Sequence, residues 1–126
     1  MGGLRGYFFD TYALVEYLRG NPLYKDKVEG GGIISILNLM ELYYRAFAEH
    51  GEDVADKVYL TFRAFAVGFD DDDVRNAMKL RLKLRGKGVA TSYADAMGYY
   101  LSLKHNVRFL TGDRAFRDLE NVEFLQ

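Results

Sequence analysis

Four acids in this chain stand where a fold can gather them. Asp10 closes the apolar run GYFF, and Asp113 follows a second run, VRFLT, after one glycine. Asp95 lies early on a helix that starts near Ser92, and Glu41 lies two turns along a helix that Ser35 can cap. In a parallel α/β layout the carboxyl ends of strands and the amino ends of the following helices share one rim, where such folds hold ligands. Carboxylates brought together without matching cations repel, and each raises its neighbours' pKa. A hard divalent ion, Mg²⁺ or Mn²⁺, resolves that repulsion with a few carboxylates and several retained waters. One or two such ions suit phosphodiester hydrolysis, activating water and neutralising the leaving oxygen.

The elements that must deliver these acids alternate in kind. Gly6 to Phe9 reads as a buried first strand, and residues 12 to 19 as a helix capped by Asp10 or Thr11 and stopped by Gly20. Pro22 opens a short helix that ends by Gly30. GGGIIS is a second strand, and Ser35 caps a long helix running to Gly51. On that helix Ile36, Leu37, Leu39, Met40, Tyr43, Tyr44, Ala46 and Phe47 cover a broad apolar arc. The arc predicts a helix buried over most of its circumference, with a narrow polar stripe (Asn38, Glu41, Arg45, Glu49) that must aim somewhere specific.

Residues 52 to 65 form a further helix, and AVGF reads as a strand. Asp70 to Asp73 opens the next helix, which ends at Gly86 and Gly88. Its MKLRLKLR stretch alternates with period two, but the acidic start and basic end match the helix macrodipole and decide for helix. The helix carrying Asp95 follows, then a turn at His105–Asn106, the strand VRFLT and a last strand VEFL. No linker or repeat interrupts the series. One α/β domain spanning residues 1–126, with a mainly parallel sheet, is the expected architecture.

Composition narrows the chemistry. Hydrophobic residues at 49% and charged residues at 28% suit a soluble globular protein. The absence of Cys excludes disulfides, thiolate nucleophiles and Cys-based zinc sites. No apolar run approaches a membrane span, and the first apolar run is too short for a signal peptide, so a cytoplasmic protein is expected. A net charge of −1 does not advertise nucleic-acid binding. Sequestering four carboxylates on metal would nevertheless leave the remaining surface positive.

FFDTYALVEYL, the Ser35–Glu41 spacing in SILNLME, the YADAM helix and LTGDRAF, in that order, resemble a PIN-domain ribonuclease, most closely the VapC-type toxins of toxin–antitoxin pairs. The resemblance covers nearly the whole chain. It implies a three-layer α/β/α sandwich around a parallel sheet, and Mg²⁺- or Mn²⁺-dependent cleavage of single-stranded or structured RNA. It also implies a homodimer and a cognate antitoxin as partner. Asp10, Glu41, Asp95 and Asp113 match the family's acidic cluster, and Thr11 and Thr111 its supporting hydroxyls. Three aspartates are then assigned to metal, and Glu41 to metal or to the attacking water. Where the family favours a small residue after DT, this chain has Tyr12. Asp95 shares its helix face with Gly98 and Ser102, whose small size would leave room for water or phosphate.

Each of these residues also has an ordinary structural role. Asp10 or Thr11 can cap a helix, and Ser92 with Asp95 can form a capping box. Asp113 suits a turn, and Glu41 can pair with Arg45 on an exposed stripe. Asp70 to Asp73 reads as a helix start rather than a second metal site. His50 and His105 sit in last turns, where they fit helix-end charge rather than catalysis. Arg81 and Arg85 fall within an apolar arc; their stems can run along the core edge, or they can contact RNA phosphates. The ten tyrosines are mainly core and interface candidates, with base stacking open to one or two. Competing functions are a solitary PIN nuclease of RNA processing or decay and a PIN-like module that binds without cutting. A haloacid-dehalogenase-like site would want an acid where Tyr12 stands, and a receiver-like site a Lys beyond Lys104; neither is present.

Overall fold

The computed structural model describes residues 6–126; the Gly-rich start, residues 1–5, lies outside them. The order is β1 (Tyr7–Phe9), α1 (Thr11–Leu18), α2 (Pro22–Glu29), β2 (Gly32–Ile33), α3 (Ile36–His50), α4 (Glu52–Arg63), α5 (Asp71–Gly86), α6 (Tyr93–Lys104), β3 (Arg108–Thr111) and β4 (Val122–Phe124). A 3₁₀ turn, Arg114–Phe116, links the last two strands. The sheet runs β2-β1-β3-β4, with every pair parallel.

Strand alternation divides the core into two layers. Phe9 and Leu110 point to one face, where α1 to α4 bring Leu14, Val28, Leu39 and Phe62. Phe8 and Phe109 point to the other, where α5, α6 and the 3₁₀ turn bring Ala77, Leu101 and Phe116. Helices therefore cover both faces of a parallel sheet, the expected α/β/α sandwich. Among the described residues no helix is long and apolar enough to cross a membrane.

Three expectations are corrected. AVGF is not a strand: Ala66 makes one isolated parallel bridge to Ile34, through bonds of 3.0 Å (Ile34 N to Phe65 O) and 2.8 Å (Val67 N to Ile34 O). Its partner β2 is only two residues long, and Gly68 adds no side chain to pack before Asp70 begins the next helix. Next, α3 is buried through Asn38, Leu39, Leu42 and Ala46 only, while Met40, Tyr44 and Phe47 are exposed. Its apolar arc is wider than α1, α4 and the sheet can cover. Finally, Gly98 and Ser102 offer no solvent room, because both are buried against the sheet. A Cβ at Gly98 would stand 2.7 Å from the Phe8 ring and 3.2 Å from the Phe109 ring.

The acidic run at Asp70 is a helix start. Asp70 and Asp73 form a reciprocal capping box, and Asp73 also accepts from Lys104 Nζ at 2.8 Å and Tyr100 Oη at 2.9 Å. These bonds, the Lys104 one foremost, hold its carboxyl well below the usual range and tie α5 to α6. His50 ends α3 and His105 caps α6.

The close seat of α6 on β1 and β3 makes a signed prediction. In an open helix, Gly98→Ala would gain about 1 kcal/mol of helix propensity. Here it should instead lose about 1–3 kcal/mol through overpacking against two buried rings, measured by urea unfolding. A variant as stable as the parent would mean that α6 does not pack this closely.

Candidate active site

At the carboxyl edge of the sheet a cleft of about 640 Å³ opens, lined by Asp10, Thr11, Tyr12, Glu41, Ser92, Asp95 and Asp113 together with part of α3. All four acids named from the sequence line it. Topology explains why: β1 and β3 are adjacent, with Phe9 opposite Leu110, so Asp10 and the β3 exit emerge side by side. The close packing of Gly98 then brings the amino end of α6, and Asp95 with it, onto the same edge.

Asp10 stands at the N-cap position of α1, yet its side chain caps nothing. Its Oδ2 instead accepts from the Thr111 hydroxyl at 2.6 Å, across the β1–β3 pair. The carboxyl is almost fully buried. Burial raises its pKa far above the usual carboxylate range; the neighbouring charges of Asp95 and Asp113 push the same way, against the Thr111 bond. Asp95 is raised too, chiefly by desolvation, with hydrogen bonds from Ser92 and Asp10 opposing.

The structural roles coexist with this crowding. Asp95 completes a capping box with Ser92, donating and accepting ends both present. Asp113 accepts from the Ala115 amide at 3.0 Å, and its own amide donates to Thr111 Oγ1 at 3.0 Å. Glu41 accepts from the Thr11 hydroxyl at 2.7 Å, and Asn38 donates to that same hydroxyl oxygen at 3.1 Å. The expected Glu41–Arg45 pair does not form: Arg45 turns to Glu49, at 3.3 Å.

The polar stripe of α3 finds its target in this cleft. Glu41, Arg45 and Glu49, spaced one turn apart, all line it, as does Tyr44. Arg45, Glu49 and Tyr44 were not marked as site residues from sequence; the regular spacing from Glu41 was the available signal. Asn38, part of the same stripe in sequence, is instead buried as the link between the Ser35 cap and Thr11. Tyr12 does not fill the acid cluster, because its ring lies over Gly112, where an added Cβ would overlap it.

The basic residues of α5 are elsewhere. Arg81 donates to the Thr91 carbonyl at 2.9 Å and lies 4.6 Å over the Tyr93 ring, while Arg85 is exposed. Neither they nor the two histidines line the cleft.

The comparisons with known proteins agree with this architecture. The PIN domain matches residues 7–122. The chain belongs to the PIN-domain family. Two solved structures share the PIN fold seen here. One is a toxin–antitoxin complex from Klebsiella pneumoniae, with a TM-score of 0.72 and 19% identity, over 91% of this chain and 93% of that one. The other is VapBC2 from Rickettsia felis bound to a DNA fragment from its promoter, also at 0.72, with 18% identity over 93% and 95%. No curated protein matches the sequence.

Among the described residues no three Asp, Glu or His side chains form a ready-made metal cage. The donor set nevertheless fits a hard ion held loosely. Mg²⁺ keeps several waters and takes one or two carboxylates plus substrate phosphates, rather than an all-protein cage. An acid raised by desolvation and then by two neighbouring acids is the environment that a cation, or failing that a proton, would relieve.

A stability test follows from the sign of the Asp10 shift. A carboxyl with a raised folded pKa contributes its full stability below its unfolded pKa and loses it as pH rises through the folded one. In EDTA, Asp10→Asn should therefore match the parent near pH 4 and exceed it by about 1–3 kcal/mol at pH 8, read by urea unfolding. A parent that stays equal at pH 8 would show that Asp10 is not desolvated.

Proposed function

We propose that this PIN-family chain is a metal-dependent endoribonuclease that hydrolyses RNA phosphodiester bonds, working as the toxin of a toxin–antitoxin pair. The observation that carries the reading is the buried Asp10 carboxyl, whose pKa is raised by desolvation and by the charges of Asp95 and Asp113 in the same cleft. Such a cluster is costly to fold and finds its natural counterpart in an ion and a phosphate.

The residues divide the work. Asp10, Asp95 and Asp113 would hold Mg²⁺ or Mn²⁺, one or two ions, directly or through water. When bound, the ion supplies positive charge at the scissile phosphate and activates water. Thr111 fixes the Asp10 carboxyl by donating to Oδ2, so that its orientation is set before any ligand arrives. Thr11, itself anchored by Asn38, does the same for Glu41. Glu41 can then complete the ion's shell or accept a proton from the attacking water. Arg85, exposed near the end of α5, is available to RNA phosphates, whereas Arg81 is engaged by Thr91 and Tyr93.

Protein partners have a surface of their own. The apolar side of α3 left bare at Met40 and Phe47, joined by Leu60 of α4, supports an antitoxin or a second copy of the chain as partner. The structural neighbours, both toxin–antitoxin complexes, support the same reading. A cytoplasmic location would suit an RNA substrate.

The purified protein should cut RNA in Mg²⁺ or Mn²⁺ and stop in excess EDTA. Asp95→Asn, prepared identically, should lose roughly a hundredfold or more in rate, and calorimetry should show its metal binding weakened. Undiminished cutting by the variant, or in EDTA, would rule out the proposed chemistry. RNA binding by the parent without any cutting would make the chain a recognition module.

A further inference from the structure

Two tyrosines on the acid cleft carry hydroxyls that are not bonded among the described residues, and Tyr44 also borders the apolar face of Met40 and Phe47. Six of the ten tyrosines (7, 17, 24, 43, 99 and 100) commit their hydroxyls to partners within the fold. Tyr12 and Tyr44 line the cleft, are 37% and 77% exposed, and make no such bond among the described residues. Their placement is tied to the acids. Tyr44 lies one helical turn beyond Glu41, and Tyr12 lies two residues beyond Asp10, over the glycine that precedes Asp113. The Tyr12 ring is also held from below, 6.4 Å from the ring of buried Tyr24. It is thus a fixed aromatic face rather than a loose side chain.

The charge of the cleft makes these faces matter. Its lining carries five carboxyl side chains against one guanidinium, Arg45, which is already paired with Glu49. Among the described residues the cleft lining is acidic rather than cationic, so surfaces that bind bases can add to the attraction of the ion for RNA. Aromatic side chains do so without sequence preference, because every base has a π-face. Bases inside a duplex are stacked on one another and cannot offer those faces.

Resting on the nuclease reading above, we infer that Tyr12 and Tyr44 are the nucleobase-binding walls of the cleft, each stacking one unpaired base beside the phosphate at the acid cluster. A paired base cannot meet these walls, so a duplex of the same strand should lose their contribution to binding. The walls are substrate-binding residues, not catalytic ones.

The test uses a labelled 12-nucleotide adenylate, its duplex, and an abasic 12-mer with the same phosphates. Binding is measured with Mg²⁺ in the Asp95→Asn background, and KM and kcat in the otherwise unchanged protein. Tyr12→Leu and Tyr44→Leu should each bind the adenylate roughly tenfold to a hundredfold more weakly, raising KM with little change in kcat. Tyr12→Phe and Tyr44→Phe should stay near the parent. The chain has no Trp, so Tyr44→Trp gives one reporter. Its fluorescence should be quenched by the adenylate and not by the abasic strand. Equal binding by the Leu variants with circular dichroism unchanged, or equal binding of abasic and adenylate strands, would overturn the proposal. So would a Tyr44→Leu effect on self-association or antitoxin binding alone. If the parent binds in this base-dependent way yet cuts no RNA, the walls stand and the nuclease reading falls.

Discussion

The structure turns on one carboxyl placed where a carboxyl does not belong. Asp10 leaves the end of β1 into an almost fully buried position, with Asp95 and Asp113 as its nearest charges and the Thr111 hydroxyl as its side-chain donor. The Thr111 hydroxyl and the Thr11 amide together do not replace the water that the group has lost. Burial and like charge both disfavour ionisation, so the fold carries a defect that a proton or a cation must fill. A fold selected for stability alone would put an apolar residue there.

That defect exists only because other parts are packed without slack. Phe8, Phe109 and Gly98 set the distance between α6 and the sheet, and this distance decides how close Asp95 comes to Asp10. The parallel pairing of β1 with β3 sets where Asp10 meets Thr111. On the opposite layer, Asn38 gives its amide oxygen to the Ser35 cap and its amide nitrogen to Thr11, so the start of α3 and the orientation of Glu41 are one network. The core thus positions the acids through rigid contacts at glycine, ring and amide, not through the flexible loops on which many sites depend.

Much of this could be read from the residues because each element was locally consistent. Apolar runs closed by Asp10 and by Gly112–Asp113, and the caps at Ser35, Asp70 and Ser92, all stand where the sequence indicated. The failures share one cause: a one-dimensional pattern does not reveal how much surface the neighbours can cover. Met40, Tyr44 and Phe47 belong to an apolar arc, yet only the set through Leu39 and Leu42 meets the core. Small residues beside Asp95 suggested empty space, whereas Gly98 is small because a ring occupies that space. AVGF has strand composition, but a strand needs a neighbour long enough to pair with, and β2 is too short to be one.

The capping roles of the acids need not compete with a role at the cleft. A carboxylate has two oxygens and about four lone-pair sites, and a backbone amide at a helix start uses one. Asp95 anchored by its capping box, and Asp113 anchored on the Ala115 amide, keep acceptor capacity while losing rotational freedom. The caps therefore act as the supporting layer that fixes the direction in which each acid can offer its remaining lone pairs. Asp10 is the exception: at an N-cap position it gives up the cap and takes the Thr111 hydroxyl instead. A side chain that served only to start α1 would do the opposite. Its departure from the local rule, rather than the mere count of acids, sets this rim apart from one made only of well-capped helices.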